Sequence, residues 1–270
     1  MTLLRRSILP WSLAFAVTLG VGPACAPTSP TSDGSTTALR SSHDVPASAK
    51  TGPSADVAPS ASAKRAAEAE AKRFADLVND LSEPDTYFFS DNLITNETSY
   101  LQVAEDLQAH APPGSVYVGV GPEQNFSYIA RARPSAAYIV DIRRANMLLH
   151  LLYRSAFEAA SSRAHFVSLL LGRAHDTAKT NAPGATIDAV LEAATAGEAT
   201  DATFTAASDA LMKRIKGYGV KLGAEDEAAI VKMHRSFFKE QLALRFELHE
   251  KNGRLYPTLR EILQARSPSD

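Results

Sequence analysis

The sequence predicts an α/β fold in which a short parallel strand pair is set into a helix-rich chain, and three observations carry that prediction. Ser115 to Val120 is a β-branched and aromatic run, and Gly119 and Gly121 give a backbone without Cβ atoms where the chain turns out of it. Asn125 to Arg133 then places Phe126, Ile129 and Ala130 at helical spacing, and Pro134 stops that helix. Ala136 to Ile142 is a second apolar run with one carboxylate, Asp141, near its end. Strand, glycine turn, helix and strand in that order make half of a nucleotide-binding unit.

Such a turn offers bare backbone N–H groups at a helix start to an adenosine-type ligand. An acidic residue about 20 positions on, at the tip of the next strand, accepts hydrogen bonds from ribose hydroxyls. Asp141 stands at that spacing from Gly121. The competing reading is an ordinary βαβ turn whose glycines only relieve strain, and the residues alone leave both open.

V-Y-V-G-V-G, then a helix, then Y-I-V-D-I-R-R-A-N-M resembles the first and second motifs of class I S-adenosylmethionine-dependent methyltransferases. L-S-E, D-N-L-I-T-N-E and G-V-G-P-E-Q-N-F-S-Y-I resemble more closely a bacterial methyltransferase-like family, from Leu81 to Leu263. The resemblance implies a partial Rossmann-like nucleotide-binding unit with S-adenosylmethionine as cofactor. It implies a cofactor site at Gly119, Gly121, Gln124, Asn125 and Asp141, and assigns no catalytic residue. Two positions depart from the pattern: Tyr117 stands where methyltransferases carry an acidic residue, and Glu123 replaces the third glycine of the loop. Family members continue past the region matching Tyr256 to Leu263 with strand-rich sequence, so the resemblance also implies a shortened chain.

The first 25 residues read as a signal peptide. Arg5 and Arg6 form a basic start, Ile8 to Val21 an apolar core too short for a comfortable membrane span, and Gly22 to Cys25 a small-residue cleavage site. Cys25, the one cysteine, suits a lipoprotein in which the acylated thiol becomes the new N-terminus, although Gly22 departs from the Leu-like residue of that pattern. Plain signal-peptidase cleavage, giving a periplasmic or secreted soluble protein, is the alternative; the paired arginines fit twin-arginine export poorly. Residues 26–62 are rich in Ala, Pro, Ser and Thr and too poor in large apolar side chains to offset their chain entropy, so they form a tether. A single domain then spans 63–266, with 267–270 as a tail.

Within the domain, Lys64 to Leu81 reads as a helix docking its C-terminal half through Phe74, Leu77, Val78 and Leu81. Tyr87 to Tyr100 is a dense polar segment among aromatics. Asp91, Asn92, Asn96 and Glu97 there are read either as turn and cap chemistry or as a loop covering a ligand. Helices are expected at 97–109, 143–161, 162–171, 187–196, 203–215, 224–248 and 256–263, and the second G-x-G, Gly217 to Gly219, is a helix end. Arg143 and Arg144 either meet an anionic ligand or pair with acids. Nothing after Asp141 reads as a further strand.

Other chemistries lack their signatures. The seven histidines are scattered, with no metal-ligand spacing, no G-x-S-x-G and no phosphate-loop G-K-[ST]. A net charge of −2 without a basic stripe excludes nucleic acid as the expected partner. The expected partners are a membrane, through the lipid anchor, and an unidentified protein. S-adenosylmethionine is a cytoplasmic metabolite, so export conflicts with methyl transfer. The alternative function is a non-catalytic envelope binding or interaction protein that keeps part of the fold.

Overall fold

The computed structural model describes residues 61–84, 87–112, 114–176 and 184–266. The expected signal peptide, Cys25, most of the expected tether and the expected tail lie outside the described residues. What is described is a mixed, helix-rich α/β domain. In chain order it comprises α1 (Ala61–Leu81), β1 (Ser90–Asp91), α2 (Ala104–His110), β2 (Val116–Val120), α3 (Gln124–Ala132), β3 (Ala136–Val140) and α4 (Arg144–Ala159). It continues through α5 (Arg163–Leu170), α6 (Ile187–Thr195), α7 (Asp201–Lys216), α8 (Ala224–Glu240), β4 (Glu247–Leu248) and α9 (Leu259–Gln264). A 3-10 turn at Ser99–Val103 leads into α2, where the sequence suggested one continuous helix.

β2 and β3 pair in parallel, Val116 opposite Ala136 through Val120 opposite Val140. α3 is the crossover between them, and it ends where Arg133 takes a left-handed conformation (φ 47°), because the residue before a proline cannot continue a helix comfortably. Ser135 fixes the register: its N–H donates to Ser115 O at 2.8 Å and its hydroxyl to Gly114 O at 2.8 Å. Alternation puts Ala137 and Ile139 into the interior and leaves Val116, Val118 and Val120 on the opposite face, 58%, 63% and 64% exposed. A parallel sheet is ordinarily covered on both faces; here the described residues cover one.

α4 is the centre of the core. Met147, Leu148, Leu149, Leu151, Leu152 and Tyr153 are all buried, and the helix packs against α5, α7 and α8. Each fully buried leucine there contributes about 1.5–3 kcal/mol of transfer free energy. α1 docks its C-terminal half, as its spacing predicts: Phe74 and Val78 are buried, Phe74 meets Tyr218 edge-on, and Arg154 lies 4.4 Å and 4.5 Å above those two rings. Helix starts carry their own caps, with Ser162, Thr186, Thr200 and Thr258 side chains accepting from the first turn.

Two expectations need correction. The helix expected to run from Ala224 to Leu248 ends at Glu240, because Gln241 turns to φ 52° and its amide donates to Leu171 O at 3.0 Å, a long-range bond that a continuing helix would lose. The chain beyond then forms β4, which pairs antiparallel with β1 (Ser90 opposite Leu248, Asp91 opposite Glu247). Among the described residues, a strand therefore does follow Asp141, but it is two residues long, and, with the isolated bridge of Arg245 to Thr258 beside it, belongs to a separate ribbon that ties the segment before the 3-10 turn to the C-terminal region.

Candidate functional site

The turn between β2 and α3 needs glycine for two different reasons. Gly121 adopts φ 89°, which other L residues rarely do. Gly119 has no room for a side chain: a Cβ there would collide with Asn125 Oδ1 and lie 2.5 Å from the Tyr117 hydroxyl. The bare backbone at Gly119 is thus covered by the protein's own groups. Tyr117 donates to Asn125 Oδ1 at 2.8 Å, and the Asn125 amide donates to the carbonyls of Val120, Gly121 and Pro122 at 3.1, 3.0 and 2.8 Å. Gln124 also folds back, donating to Val120 O at 3.1 Å.

The turn is gripped a second time from α4. Asn146 Nδ2 and His150 Nε2 both reach Gly121 O, at 3.0 and 2.9 Å. Since a carbonyl only accepts, His150 is the Nε2–H tautomer. Burial pulls its pKa down to about 4, so the ring is neutral at physiological pH. Asn146 and His150 are 1% and 2% exposed, two polar side chains one turn apart among the buried leucines of α4.

Asp141 does lie beside the glycine turn, as its spacing predicted. Its carboxylate accepts from Arg143 N–H at 2.9 Å, stands 3.7 Å from Arg143 Nε and is further stabilised by the N–H of Gly121 and Ile142. Burial nonetheless raises its pKa, outweighing these contacts. Its side chain is only 9% exposed. Arg143 is buried and donates to the carbonyls of Ser90 and Asn92 at 3.0 and 3.3 Å. Arg144 pairs bidentately with Asp226 at 2.7 and 2.8 Å. Of the two sequence readings for these arginines, the acid pairing describes both, Arg144 with Asp226 and Arg143 with Asp141, and Arg143 also staples the segment at 90–92 to the end of β3.

That polar segment is held at two more points. Tyr153 donates to Leu93 O at 3.0 Å, and Thr95 N–H donates to the Glu123 carboxylate at 2.9 and 3.1 Å. Asp91 is in β1 and Asn92 and Asn96 are partly buried beside it, whereas Glu97 turns away to Arg254 at 3.5 Å. Gly119, Gly121, Gln124, Asn125 and Asp141 are brought together, with the 90–95 segment alongside through Arg143 and Glu123. The family described as Domain of unknown function (DUF7790) matches residues 92–230, more than half of the chain. The chain belongs to that family. No curated protein and no solved structure matches it. The part matching DUF7790 contains the glycine turn, Asp141 and the α4 clamp, and it stops within α8.

Sequence reasoning passed over Glu123 except as a missing glycine. It lines a cleft of about 430 Å³ bounded by the 3-10 turn, α3, α4, α5 and α9. Burial pushes its pKa up to about 7 in spite of the Thr95 N–H. Among the described residues no group of three or more His, Cys, Asp or Glu side chains is placed to hold a metal ion, and no helix is long and apolar enough to cross a membrane.

Proposed function

We propose that this domain is a non-catalytic binding module of the cell envelope, carried on the tether and anchored through acyl chains on Cys25. In this reading the β2–α3–β3 unit is a Rossmann-like, methyltransferase-like half that has given up its cofactor. The observation that carries it is the covering of Gly119 by Asn125 and Tyr117. An adenosine moiety needs that backbone bare, and the residues present do not fit S-adenosylmethionine in this arrangement. The internal engagement of Asp141 by Arg143 and Gly121 supports the same reading, because a ribose would have to displace both.

Calorimetry with S-adenosylmethionine and S-adenosylhomocysteine tests it: no saturable heat is expected. The second reading, an adenosine-binding site, is favoured by the parallel register and by Asp141 standing next to Gly121. Saturable binding that weakens about 10- to 150-fold in Asp141→Ala would select it. The anchor has its own test. Cys25→Ser should move the protein from the membrane to the soluble fraction, since each buried CH₂ of an acyl chain contributes about 0.8 kcal/mol; an unchanged distribution refutes the anchor.

A further inference from the structure

The cleft beside Glu123 is built unlike the glycine turn, and the inference drawn from it does not depend on how that turn is read. One wall is polar. Glu123, Ser127 and Arg131 recur at every fourth residue, so they form a stripe along α3 with the two charges about 12 Å apart. The other walls are apolar and aromatic: Phe126, Phe157 and Phe166 form a continuous ring cluster, with Phe126 edge-on to Phe157 at 5.1 Å and Phe157 stacked on Phe166 at 4.2 Å. Leu170 from α5 and Ile262 and Leu263 from α9 complete them.

At one end the carboxylate of Glu123 sits among aromatic rings. Burial raises the pKa of Tyr100 and Tyr153, which line the same cleft, and the Glu123 charge adds to it; Phe126, also in the lining, meets Tyr153 edge-on at 5.5 Å. The carboxylate of Glu123 accepts from the N–H of Thr95, shared between both oxygens, and from its own backbone N–H, whereas a carboxylate offers about four acceptor sites. A carboxylate that shares a cleft with aromatic rings suits an ammonium group, by charge and by cation–π attraction together.

We propose that this cleft binds a lipophilic ammonium ion, its cationic head against Glu123 between Tyr100, Phe126 and Tyr153 and its hydrocarbon tail along Phe157, Phe166, Leu170 and Ile262. An anionic amphiphile is disfavoured at that end by Glu123, and a neutral one gains nothing from the charge. Binding is proton-linked, because the head pairs with the ionised carboxylate and Glu123 titrates at about 7. The tyrosines and the histidine nearby do not change charge between pH 6 and 8: Tyr100 and Tyr153 are raised above an already high phenol value, and His150 stays neutral. The side chains that α5, α8 and α9 contribute to the cleft are apolar.

The test is calorimetry on the folded protein with three ten-carbon probes below their micellar concentrations: decylammonium, decanoate and decanol. Decylammonium should bind at least about tenfold more tightly than decanoate at pH 8. Its affinity should fall about tenfold at pH 6, where the ionised fraction of Glu123 drops from about nine-tenths to about one-tenth. Glu123→Gln keeps an acceptor for Thr95 and should abolish both the preference and the pH dependence. Ala130→Trp, at an exposed lining position, should block all three probes while leaving the circular dichroism unchanged. Equal affinities, tighter decanoate, a pH-independent decylammonium affinity, unimpaired binding by the Trp variant, or no binding of any probe would each overturn the proposal. If Glu123→Gln fails to fold, the probe series and pH dependence of the wild type still decide it.

Discussion

The covering of Gly119 makes a quantitative prediction through a double-mutant cycle of Gly119→Ala and Asn125→Ala. Asn125 is 1% exposed, and replacing it removes the acceptor for Tyr117 and the donor for three carbonyls. The loss is smaller than four bonds. Gly121 O keeps Asn146 and His150, and Val120 O keeps Gln124, so only Pro122 O and the Tyr117 hydroxyl lose their side-chain partner. At about 1 kcal/mol per net bond, with a small cavity added, Asn125→Ala should cost about 2–3 kcal/mol.

Gly119→Ala should cost about 2 kcal/mol in the wild type, because its Cβ meets the carboxamide. In the Asn125→Ala background that collision is gone and only the Tyr117 ring must give way. The double variant should therefore be less destabilised than the sum, with an interaction energy of at least about 1 kcal/mol. Urea unfolding followed by circular dichroism reads this as a midpoint shift of about 1 M for Asn125→Ala. Strict additivity, or an Asn125→Ala variant within about 0.5 kcal/mol of wild type, would show that the carboxamide does not hold the turn, and the argument for a covered cofactor surface would fall with it.

Other outcomes follow from the same structure. For Glu123, whose pKa is raised from 4.5 to about 7, the native state binds the proton more tightly than the unfolded chain, so this group makes stability fall as pH rises between those values. Glu123→Gln should thus gain on the wild type by on the order of 3 kcal/mol at pH 8 and lose that advantage below pH 4.5, checked by thermal melting at both ends. The Arg144 partner lowers the pKa of Asp226, so this pair stabilises above the ordinary aspartate pKa and is lost as pH falls through the lowered one. Arg144→Ala should cost about 1 kcal/mol at pH 7 and little at pH 2, read by urea midpoints. Val118→Lys, on the open face of the sheet, should reduce self-association in light scattering while changing stability by less than about 0.5 kcal/mol; unchanged scattering would show that this face is not adhesive.

Local chemistry was enough for the strand–turn–helix–strand order, the position of Asp141 beside the turn, and most helix boundaries. Periodicity, Pro134 and the threonine caps act within a few residues, and such signals survive in a linear reading. The stop of α8 was not legible, because Gln241 breaks the helix for a bond to Leu171, 70 residues earlier in the chain. Nor was the β1–β4 ribbon, whose two-residue strands carry no alternation to detect. At the site, the sequence supplied two glycines and an acid at a familiar spacing. Only packing revealed that Asn125 lies across the first glycine and that Asn146 and His150, one turn apart on α4, close on the carbonyl of the second. The polar residues Arg143, Asn146, His150, Arg154 and Glu158, recurring at three and four among the leucines, were the available signal. What such residues bond to is a through-space fact, since a side-chain donor finds its acceptor by the three-dimensional path of the backbone. The same holds for Glu123: in sequence it is the residue where a glycine is missing, and it becomes the charged end of an aromatic cleft only when α4, α5 and α9 fold around it.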